Sequence, residues 1–330
     1  MLLVTGGNEL QTISTQDLQL RAQLRLPGPV VAAAVNPERN VLLLATAGAQ
    51  PYWLKIGSTG SRILQRRPLA MIPAAMVMHD RQGYLVGSND TGSWVQAFDP
   101  AHWAAPWPLP GHAVALALTP QGVLAIAATQ PSSLVLADPT THRWRRVDLT
   151  SPPRQVVTLP YGHKVFVLCA TTVAVIDTHI PGLLAYLPLG QQPQQMILKP
   201  DGGELYVSNA GGSVSVINTS ANEVSGTIPA GLGAGAVAIG AAGLNLYVAN
   251  AAAGTVTVIS TAGRSVQVVI HVGQDPRALA LGPDGLLLFA ADAGSDDVAA
   301  VRAQDPTNPN SLITLLPSPP NPGYLTVLRP

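Results

Sequence analysis

The sequence predicts an all-β chain, a closed ring of four-stranded antiparallel sheets, eight in number with seven as the runner-up count. Three observations predict it. First, one pattern is written three times. PDGGELYVSN (Pro200–Asn209) leads into GSVSVINTS (Gly212–Ser220), AAGLNLYVAN (Ala241–Asn250) into GTVTVISTA (Gly254–Ala262), and PDGLLLFAAD (Pro283–Asp292) into DDVAAVRA (Asp296–Ala303). Tyr206, Tyr247 and Phe289 hold equivalent places, 41 and 42 residues apart. Second, weaker copies continue to the N-terminus. The last apolar residue of the second strand falls at Ile13, Ile56, Phe98, Ala137, Ile176, Ile217, Ile259 and Val301, at spacings of 39 to 43. A unit that recurs at such a period cannot bury its own faces and must stack on its neighbours. Third, the apolar pattern inside each copy has period two, and no helix-period segment of useful length competes with it.

The strands follow in order within each copy. A short inner strand comes first. Its eight copies are Val30–Val35, Met76–Met78, Ala113–Leu118, Gln155–Leu159, Met196–Leu198, Ala236–Ile239, Ala278–Leu281 and Tyr324–Leu328. A hairpin turn follows, spelled Pro-Asp-Gly at 200–202 and 283–285. The YVSN-like strand is next, seen also at Leu2–Thr5, Leu42–Thr46, Tyr84–Asn89, Val123–Thr129 and Val165–Ala170. The third strand alternates Val214 and Val216 with Ser213 and Ser215, and Val256 and Val258 with Thr255 and Thr257. Alternating β-branched residues suit a pleated sheet. Ile217 and Ile259 put apolar bulk on the second face, as a sheet covered on both sides requires. Asn218-Thr219, Asp177-Thr178, Asp138-Pro139 and Asp99-Pro100 then start turns. An outer strand closes the copy, as at Leu183–Leu187, Glu223–Ile228 and Val266–Val272. Four short strands per copy, repeated radially, make a β-propeller blade. The chain opens on the second strand, and GYLTVLRP (Gly323–Pro330) reads as the missing inner one. Blade 1 is therefore expected to combine residues 1–28 with 322–330, in a single domain spanning 1–330. The least regular parts are Ile63–Met78 and Gln304–Ser311, and the Pro- and Trp-rich HWAAPWPLPG (His102–Gly111) replaces a regular outer strand.

Composition narrows the function classes. Hydrophobic residues make up 47% and charged ones 11%, which supports a large core and excludes disorder. A formal net charge of zero argues against nucleic acid, whose phosphates need a basic face. No apolar run reaches the roughly 18 residues of a membrane span. Cys169 stands alone in an apolar run and reads as a buried hydrophobe. A chain complete as given is expected in the cytoplasm, while one whose leader is absent would be periplasmic or extracellular and read the same.

Tyr206-Val-Ser-Asn209 and Tyr247-Val-Ala-Asn250, with the Pro-Asp-Gly turn and the VSVIN-type strand, resemble the YVTN-repeat family of β-propellers. The resemblance is strong over Pro153–Ala303 and degenerate before it. It implies the fold and no single activity, since relatives of this layout include bacterial surface propellers, lactonase-like propellers and a haem-binding propeller.

Candidate site residues come from the layout. In a propeller the inner strands line the channel, and ligands sit at its mouth. One residue per blade starts the inner strand: Val31, Ala75, Val114, Arg154, Gln194, Gly235, Arg277 and Tyr324. Arg154, Gln194, Arg277 and Tyr324 could bind an anion or a carbonyl, or simply solvate the mouth. Asp275 precedes Arg277 closely enough to take up its charge. His112 is the histidine nearest the channel. Asn89, Asp90, Asn209, Asn250, Asp292, Asp296 and Asp297 are assigned to the turns between second and third strands. DAGSDD lacks the calcium-loop pattern and reads as turn chemistry rather than a metal site. Trp103 and Trp107 would form a partner-binding edge if exposed, or a packed blade edge if not. No nucleophile–base set, phosphate loop, haem-attachment motif or metal motif is present. The expected function is therefore non-catalytic: a protein-interaction or scaffold subunit of a larger assembly, with no cofactor. The alternative is a channel-mouth enzyme or cofactor carrier, lactonase-like or haem-related, with a small molecule in the channel.

Overall fold

The computed structural model describes residues 1–36, 41–57, 59–99, 102–180, 182–282, 284–303 and 311–328. The expected irregular loop after Ala303, the proline of the second Pro-Asp-Gly turn, Pro100 and the last two residues lie outside the described residues. The described residues form eight four-stranded antiparallel sheets and no helix. Each sheet is a blade, with strands a to d running from the axis outward. Blade 6 shows the plan: Pro193–Leu198, Glu204–Asn209, Ser213–Asn218 and Glu223–Pro229.

Blade 1 is built from both ends of the chain. Strand a, Pro322–Val327, pairs with strand b, Leu2–Gly6, with Leu2 opposite Val327 and Val4 opposite Leu325. The Met1 ammonium donates to the Leu328 carbonyl at 3.0 Å, and Leu328 N–H donates back to the Met1 carbonyl at 2.8 Å. Strand order within the blade is therefore a (C-terminal), then b, c and d (N-terminal).

Packing closes the ring. Successive side chains of a strand point to opposite faces, so each middle strand serves two interfaces. Leu2 and Val4 meet Phe289 and Val298 of blade 8, while Leu3 and Leu10 meet Leu42 and Leu54 of blade 2. Equivalent apolar clusters fill each of the other gaps, so the interfaces run full circle. This is why the middle strands read as unbroken hydrophobic runs such as Val165–Cys169, all buried. At about 25 cal/mol per Å² of apolar surface removed from water, these gaps are the main stabilising term.

One rim is stitched by backbone. The residue leaving strand d donates its N–H to the b–c turn of its own blade: Leu26 to Asn8, Leu69 to Pro51, Leu189 to Thr171, Ala230 to Gly212 and Val272 to Gly254. The b–c turns and d–a connections therefore share a face. Strand a then opens with a register shift in every blade. Such bulges leave a residue outside the ladder and re-aim it.

One expectation on regularity is corrected. The stretch Ile63–Met78 contains ordinary strands, Ile63–Pro68 and most of Ile72–His79. Its arginines obscured the pattern, and the Arg66 guanidinium lies 3.8 Å from the centroid of the Tyr52 ring on the adjacent strand. Blade 3 does depart from the plan, since its outer strand is only Trp107–Leu109.

Candidate functional site

The bulges define a ring of side chains at the channel mouth. The first residue outside the ladder in each blade is Val31, Ala74, Val114, Arg154, Gln194, Gly235, Arg277 or Gly323, with Gln195 and Ala236 also skipped in blades 6 and 7. Six match the sequence expectation. Ala75 and Tyr324 are each one place too far along. Pro73 and Pro322, like Pro153, Pro193 and Pro276, pair in the ladder, and in all five blades the bulge falls on the residue directly after the proline. Tyr324 instead pairs with Thr5 and is half-buried beside a groove of about 400 Å³ between blades 1 and 2. Burial raises its hydroxyl pKa.

The mouth is divided. Arg154 and Arg277 are the only Arg, Lys, Asp or Glu residues on the eight inner strands. Both lie in the arc from blade 5 to blade 8, with Gln194 between them. The opposite arc presents Val31, Ala74 and Val114, and below the bulges the channel walls are mostly Ala, Val, Leu, Ile and Met. Arg277 is half-exposed and held: its Nη2 lies 2.6 Å from Asp275 Oδ2, and Nη1 reaches Asn321 Oδ1 at 3.4 Å. The anticipated pairing with Asp275 is thus present. Arg154 is exposed and has no hydrogen bond or ion pair among the described residues. Between Gln194 and Arg277, the small residues Gly233, Gly235 and Ala236 of blade 7 leave a recess of about 610 Å³. His112, the first residue of strand a in blade 4, is exposed.

Sequence reasoning missed two devices that shape this mouth. The glutamines that follow Arg154 and Gln194 bridge neighbouring inner strands. Gln155 Nε2 donates to the Met196 carbonyl at 2.9 Å, and Met196 N–H donates to Gln155 Oε1 at 2.8 Å. Gln195 Oε1 likewise accepts from Val237 N–H at 3.0 Å. A primary amide copies a backbone pair and spans two blades.

The second device is a buried corner. Asn209, Asn250 and Asp292 end their b strands fully buried, not on exposed turns as expected. Asn250 Oδ1 accepts the Gly231 N–H at 3.0 Å, and its Nδ2 donates to Thr255 and Thr257 Oγ1 at 3.0 and 2.8 Å. Asp292 Oδ2 accepts the Gly273 N–H at 3.0 Å in the same way. Close approach requires glycine: a Cβ on Gly231 would lie 2.5 Å from Asn250 Cγ, and one on Gly273 would lie 2.6 Å from Asp292 Cβ. The signal was legible as Gly190, Gly231 and Gly273, at the same spacing as the YVSN strands.

Of the two readings of Trp103 and Trp107, a partner-binding edge or a packed blade edge, the structure shows packing. Trp107 is buried against blade 4, with the His142 ring stacked at 5.0 Å. Trp103 is half-buried, stacked on Phe98 at 4.8 Å and edge-on to Trp53 at 5.3 Å, with Arg67 over its face. His163 and His179 come within 5.1 Å, though far apart in sequence. Among the described residues no three His, Cys, Asp or Glu side chains form a metal-binding group. Cys169 is buried, and burial raises its thiol pKa. No described helix is long and apolar enough to cross a membrane.

The apolar surface lies elsewhere, on the outer wall. Val266 and Val269 on strand d of blade 7, and Leu312, Ile313 and Leu315 on strand d of blade 8, are 40 to 50% exposed. These two outer strands are neighbours.

The fold and mouth define a β-propeller of eight four-stranded blades. No protein-family model and no curated protein matches the sequence. Solved structures do share the fold. A dihydro-heme d1 dehydrogenase, NirN, in complex with DHE superposes with a TM-score of 0.79 at 11% identity, over 98% of this chain and 74% of that one. Hydrazine synthase of Kuenenia stuttgartiensis gives 0.65 at 14% identity, over 83% and 96%. A functionally unknown protein from Desulfotomaculum acetoxidans DSM 771 gives 0.63 at 12% identity, over 100% and 99%. At these identities the likeness establishes the fold alone.

Proposed function

We propose that the protein is a non-catalytic propeller of the YVTN-repeat type that docks a protein partner as a scaffold subunit. The observation that supports this reading is the run of exposed apolar residues on the outer strands of blades 7 and 8. Outer strands are sheet edges, which soluble proteins ordinarily guard with charge. Here Val269, Leu312, Ile313 and Leu315 leave apolar side chains in water, the mark of an interaction surface. The test is purification from the native host. Wild type is expected to bring down one stoichiometric protein, and Val269→Glu/Leu315→Glu to lose it while keeping the wild-type melting temperature. Purification of the wild type alone, or retention of the partner by the variant, contradicts the reading.

The divided mouth favours a second reading, a small amphipathic anion bound in the channel. Arg154 and Arg277 would take its charged end, and the Val31–Val114 arc its apolar body. One fold neighbour is a dihydro-heme d1 dehydrogenase in complex with DHE, so haemin is the first probe. A Soret shift weakened about tenfold or more by Arg154→Ala supports this reading, since a charged hydrogen bond is worth about 1.5–3 kcal/mol. An absent shift, or one unchanged in the variant, removes it.

A further inference from the structure

We propose that Asp292 and Asp297 hold one proton between them, and that this proton locks the corner of blade 8, from Gly273 to Arg277, onto the rim. Comparison of three blades within the chain carries the argument. In blade 7 the buried Asn250 stands opposite Thr255, and in blade 6 Asn209 stands opposite Ser213. In each pair the amide donates to the hydroxyl, at 3.0 and 3.2 Å. Blade 8 keeps the architecture and changes the chemistry, with Asp292 standing opposite Asp297. The amide donor is gone, yet Asp292 is fully buried and still accepts the Gly273 N–H.

As carboxylates the pair cannot bond. Asp292 Oδ1 and Asp297 Oδ1 are both buried atoms without a partner. One proton placed between them satisfies both and restores the missing donor. Two ionised carboxylates so placed would repel in a low-dielectric site. Burial, with Asp297 adding to it, pushes the Asp292 carboxyl up to about 8.

Among the described residues the surroundings offer no counter-charge. Blade 7, against which this face packs, contributes Val256, Val258 and Ile270, and its His271 is exposed at the end of strand d. On the corner itself Asp275 is paired with Arg277. Asp296 accepts the Asn321 N–H at 2.6 Å, and Ser295 Oγ accepts the Gln274 N–H at 2.9 Å. Asp297 is the charged group left facing Asp292. The locked segment runs Gly273-Gln274-Asp275-Pro276-Arg277 and so carries the rim's held arginine. The lock does not depend on what the rim binds.

The folded protein keeps a proton that the unfolded chain releases above the ordinary Asp range. The linkage sign follows: stability from this pair is greatest in acid, falls as pH rises, and stops falling near pH 8. The test is urea unfolding of wild type, Asp292→Asn and Asp292→Asn/Asp297→Thr from pH 5 to 9. The double variant restores the Asn–Thr pair of blade 7. The ratio of the wild-type unfolding constant to either variant's is expected to rise about tenfold per pH unit and level near pH 8. The protection factors of the Gly273, Gln274, Asp275 and Arg277 amides should fall over the same range in wild type alone. Parallel wild-type and variant profiles overturn the proposal. So does calcium-dependent stabilisation of wild type at pH 9 that both variants lack, which would make the pair a cation site.

Discussion

At the scale of single residues, polar side chains in this propeller act mainly by imitating backbone. Gln155 is the clearest case, because its amide satisfies both the N–H and the C=O of Met196 across the gap between blades 5 and 6. Gln155→Leu keeps the bulk and orphans both groups. It is expected to destabilise the protein by about 1–3 kcal/mol, measured by urea unfolding. Charge gives a contrasting pair. Burial pushes the Glu204 carboxyl up, but the Tyr206 hydroxyl and the Arg264 guanidinium, 2.7 Å away, outweigh it and hold it below its ordinary value. Its contribution is therefore present above the ordinary Glu range and lost as pH falls through the folded value, opposite in sign to that of Asp292. The stability gap between wild type and Glu204→Gln, about 1 kcal/mol at pH 7, should shrink toward pH 3. The residue types at the mouth were legible in the sequence, and six of its eight bulge positions followed from counting. Ala75 and Tyr324 were misplaced by one because counting back from the turn ignored a marker that five blades share: the bulge directly follows a proline that pairs in the ladder, as after Pro153, Pro193 and Pro276 and equally after Pro73 and Pro322. Asn209 and Asn250 were read as turn residues because asparagine at a strand end usually is one; here a periodic glycine makes room to bury it.

At the scale of elements, blade 3 shows what substitutes for a full outer strand. Strand d is three residues long, and the segment before it is fixed by Trp103 lying between Phe98, Trp53 and Arg67. Trp103→Ala removes this stack. It is expected to cost about 2 kcal/mol, less than the roughly 3–5 for a fully buried tryptophan, and to raise proteolysis between Phe98 and Trp107. Unchanged cleavage there would show that the short strand holds itself. The irregular d strand was visible as HWAAPWPLPG. That its tryptophans turn inward was not, because the rings they meet, Trp53 and His142, belong to neighbouring blades. The regular strands of Ile63–His79 were hidden for the converse reason. Arg66 and Arg67 stack on aromatic faces, so basic residues occupy places that the period assigns to apolar ones.

At the scale of the whole molecule, the ring was legible because each blade repeats one grammar and because apolar middle strands require a neighbour on both sides. Function was less legible, since the exposed apolar residues of blades 7 and 8 follow the same strand grammar as buried ones, and only their radial position separates them. Everything at the rim depends on closure. The ring closes non-covalently, through Pro322–Val327 and Leu2–Gly6, and blade 1 then fills the gap between blades 8 and 2. Hydrogen exchange of the Leu2–Gly6 amides, with and without residues 322–330, measures this directly. The full chain should protect these amides as strongly as the middle strands of blade 6, and the shortened chain should lose that protection together with the protection of the blade 8 and blade 2 faces. Equal protection in both chains would contradict a ring closed by its terminal strands.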